Sequence, residues 1–154
     1  DIPYGSRMYE EWKKWRARQV TETVVRVCGE VKRAHPNLEV SAAVFPTPTI
    51  AYNYVLQEWP SWNLDLYHPM VYHKFYERGV DWIGEAVRES ASKGLPISAG
   101  ILVDFMGSYD ELKTGFELAL RNGAHGITVF AFPLPRVELG EWIRKAFKEL
   151  ECRF

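Results

Sequence analysis

Asp104 lies in the apolar run Ile101-Leu-Val-Asp-Phe-Met-Gly107 and is the one acid at the C-terminal end of an expected strand. A carboxyl among apolar neighbours is pushed toward its protonated form, the state a general acid needs. The bland alternative is a loop carboxylate that hydrogen-bonds backbone ahead of a helix cap at Ser108. The second concentration of chemistry is Leu64–Tyr76, LDLYHPMVYHKFY. A period of two puts His68, Met70 and Tyr72 on one face, and Asp65, Tyr67, Pro69, Val71 and His73 on the other. Tyr72 and His73 stand at the strand's end, where they can hydrogen-bond a ligand's hydroxyls, with Met70 beside them. Lys74, Phe75 and Tyr76 continue the same loop. His68, inside the strand, reads as a hydrogen-bonded core histidine, and Asp65, ahead of it, as structural. Trp59 and Trp62 offer flat faces to a ring-shaped ligand or pack a helix. Phe130 and Phe132 line the floor or rim of a site or belong to the core.

Other chemistries find no footing. No Gly-rich phosphate loop follows a strand, and no His-x-x-x-His or Cys-x-x-Cys offers a metal site. No Gly-x-Ser-x-Gly elbow is present. No cofactor or metal is expected.

Elements must position these residues, and 154 residues supply one domain's worth of core. A net charge of −1 leaves no footprint for nucleic acid or an anionic membrane. No apolar run approaches the length of a membrane span, and no signal-peptide pattern is present. The chain starts at Asp1 without Met, which suggests a piece of a longer parent whose export stays open. Aromatics are abundant: six Trp, eight Tyr and eight Phe. They fit either a Trp-rich core or a surface that stacks sugar rings. Cys28 and Cys152, the two cysteines, form no disulfide framework and read as free thiols.

In order, a long helix spans Tyr9–Ala34, with Trp12, Val20, Val24, Val27 and Val31 as its stripe. Pro36 ends it. Strands are expected at Val40–Phe45, Leu64–Tyr72, Ile97–Val103 and Gly126–Phe132. Helices are expected at Tyr52–Trp59, Asp81–Lys93, Ser108–Arg121 and Glu138–Leu150. Pro69 cannot donate to a ladder, so the second strand is irregular there. Ser108-Tyr-Asp-Glu111 is a capping box. Alternating helices and apolar strands imply a parallel sheet covered by helices. Proline- or glycine-marked loops with polar and aromatic residues follow each strand, as on the functional face of a (β/α)8 barrel. Such a barrel takes roughly 250 residues. The expectation is therefore a single α/β domain over residues 1–154, the C-terminal half of a TIM barrel with about strands 5 to 8. A small doubly wound sheet is the alternative. A half-barrel leaves two open edges, so its expected partner is a missing N-terminal half or a second copy in a homodimer.

Several fragments together resemble a known family. They are Trp12-x-x-Trp15-Arg16, His35-Pro36-x-Leu38-x-Val40-Ser41, and Trp59-x-x-Trp62 followed by Asp65-x-x-x-Pro69-Met70-x-Tyr72. Gly115-Phe116, Gly123-Ala124-x-Gly126-Ile127 and Phe130 complete the set. The chain resembles the second half of the glycosyl-hydrolase-like 10 family, bacterial (β/α)8-barrel proteins assigned to carbohydrate processing. The resemblance implies a glycan substrate and carboxylate acid/base chemistry, with Asp104 on the seventh strand, where related barrels often carry Glu. It also implies that the family's Asp-Tyr-x-Arg segment on the fourth strand lies ahead of residue 1, so that this chain alone is inactive. Glycoside hydrolysis takes two carboxyls, about 5 Å or about 6.5–9.5 Å apart. A non-catalytic carbohydrate-binding barrel and a scaffolding α/β domain remain the alternatives.

Overall fold

The computed structural model describes residues 3–130, 133–134 and 136–151. Helix α1 (Arg7–Ala34) leads into β1 (Ser41–Val44), α2 (Pro48–Val55), β2 (Leu66–Pro69) and α3 (Trp82–Ala91). Strand β3 (Ser98–Leu102), α4 (Tyr109–Arg121), β4 (Gly126–Phe130) and α5 (Val137–Glu151) follow. The alternation of strand and helix is the expected one. Phe132 and Cys152 lie outside the described residues.

Local chemistry sets the boundaries. The Ser6 hydroxyl accepts from the Tyr9 N–H and starts α1 two residues earlier than periodicity predicts. Helix α2 starts four residues before its expected position. Thr47 caps it through the Ile50 N–H and Pro48 fills its first turn, so this proline opens a helix instead of merely ending a strand. Leu56, in the left-handed region at φ 57°, stops it. In α4, Leu112, Gly115, Phe116 and Ala119 form the buried stripe. A Cβ on Gly115 would sit 3.1 Å from Ile83 Cδ1, so glycine lets α3 and α4 approach. In α1 the buried positions are Ala17 and Cys28, with Val20 and Val24 packed against the core. Val27, assigned to the stripe by spacing, is 56% exposed; the helix turns Cys28 inward instead.

All strand pairings are parallel. β1 pairs with β2, from Ser41↔Leu66 to Val44↔Pro69, and β3 with β4, from Ser98↔Gly126 to Leu102↔Phe130. The two pairs meet at isolated bridges Tyr67↔Ile97 and Met70↔Gly100. Proline explains the interruption. The Tyr67 N–H donates to the Pro96 carbonyl (3.0 Å) and the Val71 N–H to the Gly100 carbonyl (2.9 Å). The rung between them belongs to residue 69, which has no N–H to give. The spatial order is thus β1-β2-β3-β4, sequential, without a reversal. It does not close: β1 and β4 have no further strand partner among the described residues.

The two faces of this sheet differ. Val44, Tyr67, Val71, Ile97, Ala99, Ile101 and Val103 are fully buried and share one core with Ile83, Val87, Leu112, Phe116 and Leu139. The alternate residues are more open. Ser41 and Ala43 are exposed, and His68, Met70, Tyr72, Leu102 and Thr128 are half-buried. At the end of β4, Phe130 is 49% exposed.

Candidate functional site

The open face and the C-terminal strand ends gather the polar and aromatic residues. Asp104 sits in a 3-10 turn, Val103–Phe105, directly after β3. The turn points Val103 inward, fully buried, and leaves the Asp104 side chain 50% exposed. Its neighbour is Arg136, whose Nε lies 4.0 Å from Oδ1. Arg136 also donates to the Met106 carbonyl (2.7 Å) and lies 3.7 Å from Glu138. One guanidinium thus ties the loop after β3 to the segment opening α5, with Asp104 on its edge.

Tyr72, three residues past β2, packs its ring on Phe130 at 5.7 Å, so the segment after β2 meets the end of β4 across β3. Its hydroxyl is enclosed and has no hydrogen-bond partner among the described residues. Burial pushes its pKa up to about 12, so it stays protonated and is a donor without an acceptor. One layer below, His68 Nδ1 and Thr128 Oγ1 are 2.7 Å apart, and Thr128 Oγ1 lies 2.7 Å from Ser98 Oγ. Met70, one residue past β2, lies between these layers and bridges to Gly100.

His73 turns the other way. It is 1% exposed, with Nε2 3.4 Å from Glu111 Oε1 and Phe105 against its ring edge. Glu111 also accepts from the Gly107 N–H (2.6 Å), while its own N–H donates to Ser108 Oγ (3.1 Å). The capping box is real, but its carboxylate reaches one residue beyond the cap. Lys74 donates to the Phe105 carbonyl and lies 3.8 Å from Glu111. Together these contacts clasp the loop after β2 to the loop that bears Asp104.

Burial pushes the His73 imidazole below its ordinary value, against the pull of Glu111. Burial alone would raise Glu111, but the Gly107 N–H, Lys74 and His73 hold it below its ordinary value. The linkage signs follow. Unfolded His73 takes a proton near 6.5 and the folded residue only at lower pH, so stability falls as pH drops below 6.5. The Glu111 contribution is present above 4.5 and is lost as pH falls through its depressed folded value. Urea unfolding across pH is therefore expected to show a plateau above about pH 7 and a decline in two stages. His73→Gln is expected to remove the upper stage; an unchanged upper stage would mean that another group titrates there.

Trp59 and Trp62 are 0% and 5% exposed. Trp59 packs on Tyr67 at 5.4 Å, and both indole N–H groups are buried with no partner among the described residues. Trp62 lines a cleft with Cys28, Lys32, Val40 and Asp65 at the N-terminal strand ends, away from Asp104. Asp65 accepts from the Val40 N–H (2.7 Å) and pairs with Lys32 (2.6 Å), tying α1 to the strands. Of the sequence-chosen residues, the structure groups Met70 and Tyr72 on the open face with Asp104 at the rim. His73, Trp59 and Trp62 are buried.

Sequence reasoning missed Arg136, Ser98 and Thr128. A polar residue inside an otherwise apolar strand, as in ISAGILV and GITVF, was the signal that could have found the last two. Among the described residues no group of three or more His, Cys, Asp or Glu side chains could hold a metal ion. No helix among them is long and apolar enough to cross a membrane.

Comparison with known proteins gives one match. The family model described as glycosyl hydrolase-like 10 matches residues 2–105, more than half of the chain. No curated protein matches. No solved structure matches.

Proposed function

Because the chain belongs to the glycosyl hydrolase-like 10 family, we propose that it forms one half of a (β/α)8 barrel that acts on a glycan. The observation that carries this reading is the sheet. Four parallel strands run in sequential order, one face is buried under helices, and the other is partly open. A doubly wound sheet reverses its strand order and covers both faces; a barrel arc does neither. A second (β/α)4 unit, in the same polypeptide or as a second copy, would pair with the outer edges of β1 and β4 and enclose the open face.

In the assembled barrel Asp104 is one of the two carboxyls, acting on the glycosidic bond at the C-terminal strand ends. Arg136 orients the Asp104 loop through the Met106 carbonyl. Tyr72 and Phe130 offer a ring surface, Met70 lies beneath, and Lys74 and His73 hold the flanking loop. The second carboxyl comes from the other unit. A non-catalytic glycan-binding barrel would use the same aromatic surface, and the half-exposed Asp104, paired among the described residues with Arg136, is what favours that second reading.

Sedimentation tests the architecture. The chain alone is expected to self-associate or to bind a complementary half-barrel; a compact 17.8 kDa monomer that is fully stable would overturn the half-barrel. Tyr72→Phe tests the hydroxyl and leaves the ring in place. Removing an unpartnered buried hydroxyl is expected to stabilise the isolated chain by about 1–3 kcal/mol. The same change is expected to leave glycan binding by the assembled barrel within about twofold, because the ring is kept and the hydroxyl is enclosed. A loss of stability with no loss of affinity would show the hydroxyl to be structural.

A further inference from the structure

The hydrogen-bond chain His68–Thr128–Ser98 spans three strands on the open face, and nothing in the acid/base reading uses it. We propose that it is a sugar-hydroxyl reader at the floor of the site, with His68 Nε2 as the contacting atom. The proposal rests on the glycan reading and deepens it by naming what holds a ring below Asp104.

Gly100 borders the chain. It is in register with Met70 and Thr128, and the side chain that β3 brings to the chain is Ser98, two residues earlier. A Cβ at residue 100 would stand 3.0 Å from the Pro69 carbonyl oxygen, too close to backbone to be accommodated freely. The interior layers of such barrels are filled mainly by branched apolar side chains. A chain with His68 and Thr128 half-buried and Ser98 buried departs from that pattern and suits a polar occupant.

The two 2.7 Å contacts fix the imidazole through Nδ1. Nε2 has no protein partner among the described residues and is not among the enclosed orphans. Thr128 has a single hydroxyl proton. If that proton goes to His68 Nδ1, then Nε2 carries the ring proton and donates. If Nδ1–H donates to Thr128, the hydroxyl donates to Ser98 and Nε2 accepts. Reversing the chain therefore switches Nε2 between donor and acceptor. A sugar hydroxyl, itself both donor and acceptor, fits either state. The Tyr72–Phe130 pair above supplies the apolar surface against which a ring's C–H face packs.

Imidazole nitrogen NMR of the full chain, titrated with glucose, N-acetylglucosamine and glycerol, tests the proposal. A saturable shift of His68 Nε2 is expected with at least one ring sugar and not with glycerol. Thr128→Val is expected to weaken that response roughly fivefold, and Thr128→Ser to restore it. If Thr128→Val does not fold, Ser98→Ala interrupts the chain from its other end. No shift with either sugar, an equal shift with glycerol, or a response indifferent to these variants would overturn it. Asp104→Asn is expected to leave the response intact, so loss of turnover with a retained His68 response refutes neither. Turnover that depends on Asp104 while His68 stays silent refutes this proposal alone.

Discussion

Asp104→Asn is expected to lower glycan turnover by the assembled barrel about 10²–10⁴-fold, the usual contribution of a positioned acid or base. Asparagine keeps the size of the side chain and removes its proton chemistry. The side chain is half exposed and its ion-pair partner is 4.0 Å away, so the fold has little to lose. Stability measured by urea should therefore stay close to that of the parent while turnover falls. Arg136→Gln should act more weakly on the rate and more strongly on the loop, because it also releases the Met106 carbonyl. Turnover within about threefold of the parent in Asp104→Asn would remove Asp104 from the chemistry and favour a binding barrel.

The largest stability effect is expected at Trp59. Its indole is fully buried against Tyr67, and Tyr67 in turn uses its hydroxyl to accept the Leu64 N–H at 3.0 Å. Trp59→Ala empties a large volume at the junction of the segment after α2 and β2, and should cost about 3–5 kcal/mol. Against a domain stability of about 5–15 kcal/mol, that leaves little margin, and urea unfolding would show it directly. Trp59→Phe retains most of the packing and separates the roles. A glycan affinity equal to the parent's places Trp59 in the core. A loss of affinity at unchanged stability would return it to the binding surface.

How far the sequence could be read depended on the kind of signal. The strands and helices were visible because apolar runs, Gly94, Gly123 and the prolines punctuate them. Helix α2 was misplaced because a proline after a strand can end one element and open the next, and only the Thr47 cap decides between them. The shortened β2 was foreseeable from Pro69, whose missing N–H splits the ladder into two pairs. Asp104 and Tyr72 stand out in the sequence because they follow strands, and the structure places both just past strand ends. The burial of His73 and Trp62 could not be foreseen, because a strand-end side chain can turn to either side of its loop. His73 turns inward because Glu111, four residues past Gly107, offers it a partner. That pairing joins residues distant in sequence and leaves no local trace. The same holds for His68 and Thr128, 60 residues apart in the chain, which meet across β3.

The most direct test is a crystal structure of the assembled barrel with a bound oligosaccharide. The account predicts the sugar at the C-terminal strand ends, a ring against Tyr72 and Phe130. It also predicts the Asp104 carboxyl within about 2.6–3.2 Å of the glycosidic oxygen or facing the anomeric carbon. A sugar seated elsewhere, or Asp104 turned to Arg136 with no sugar atom within hydrogen-bonding reach, would contradict it.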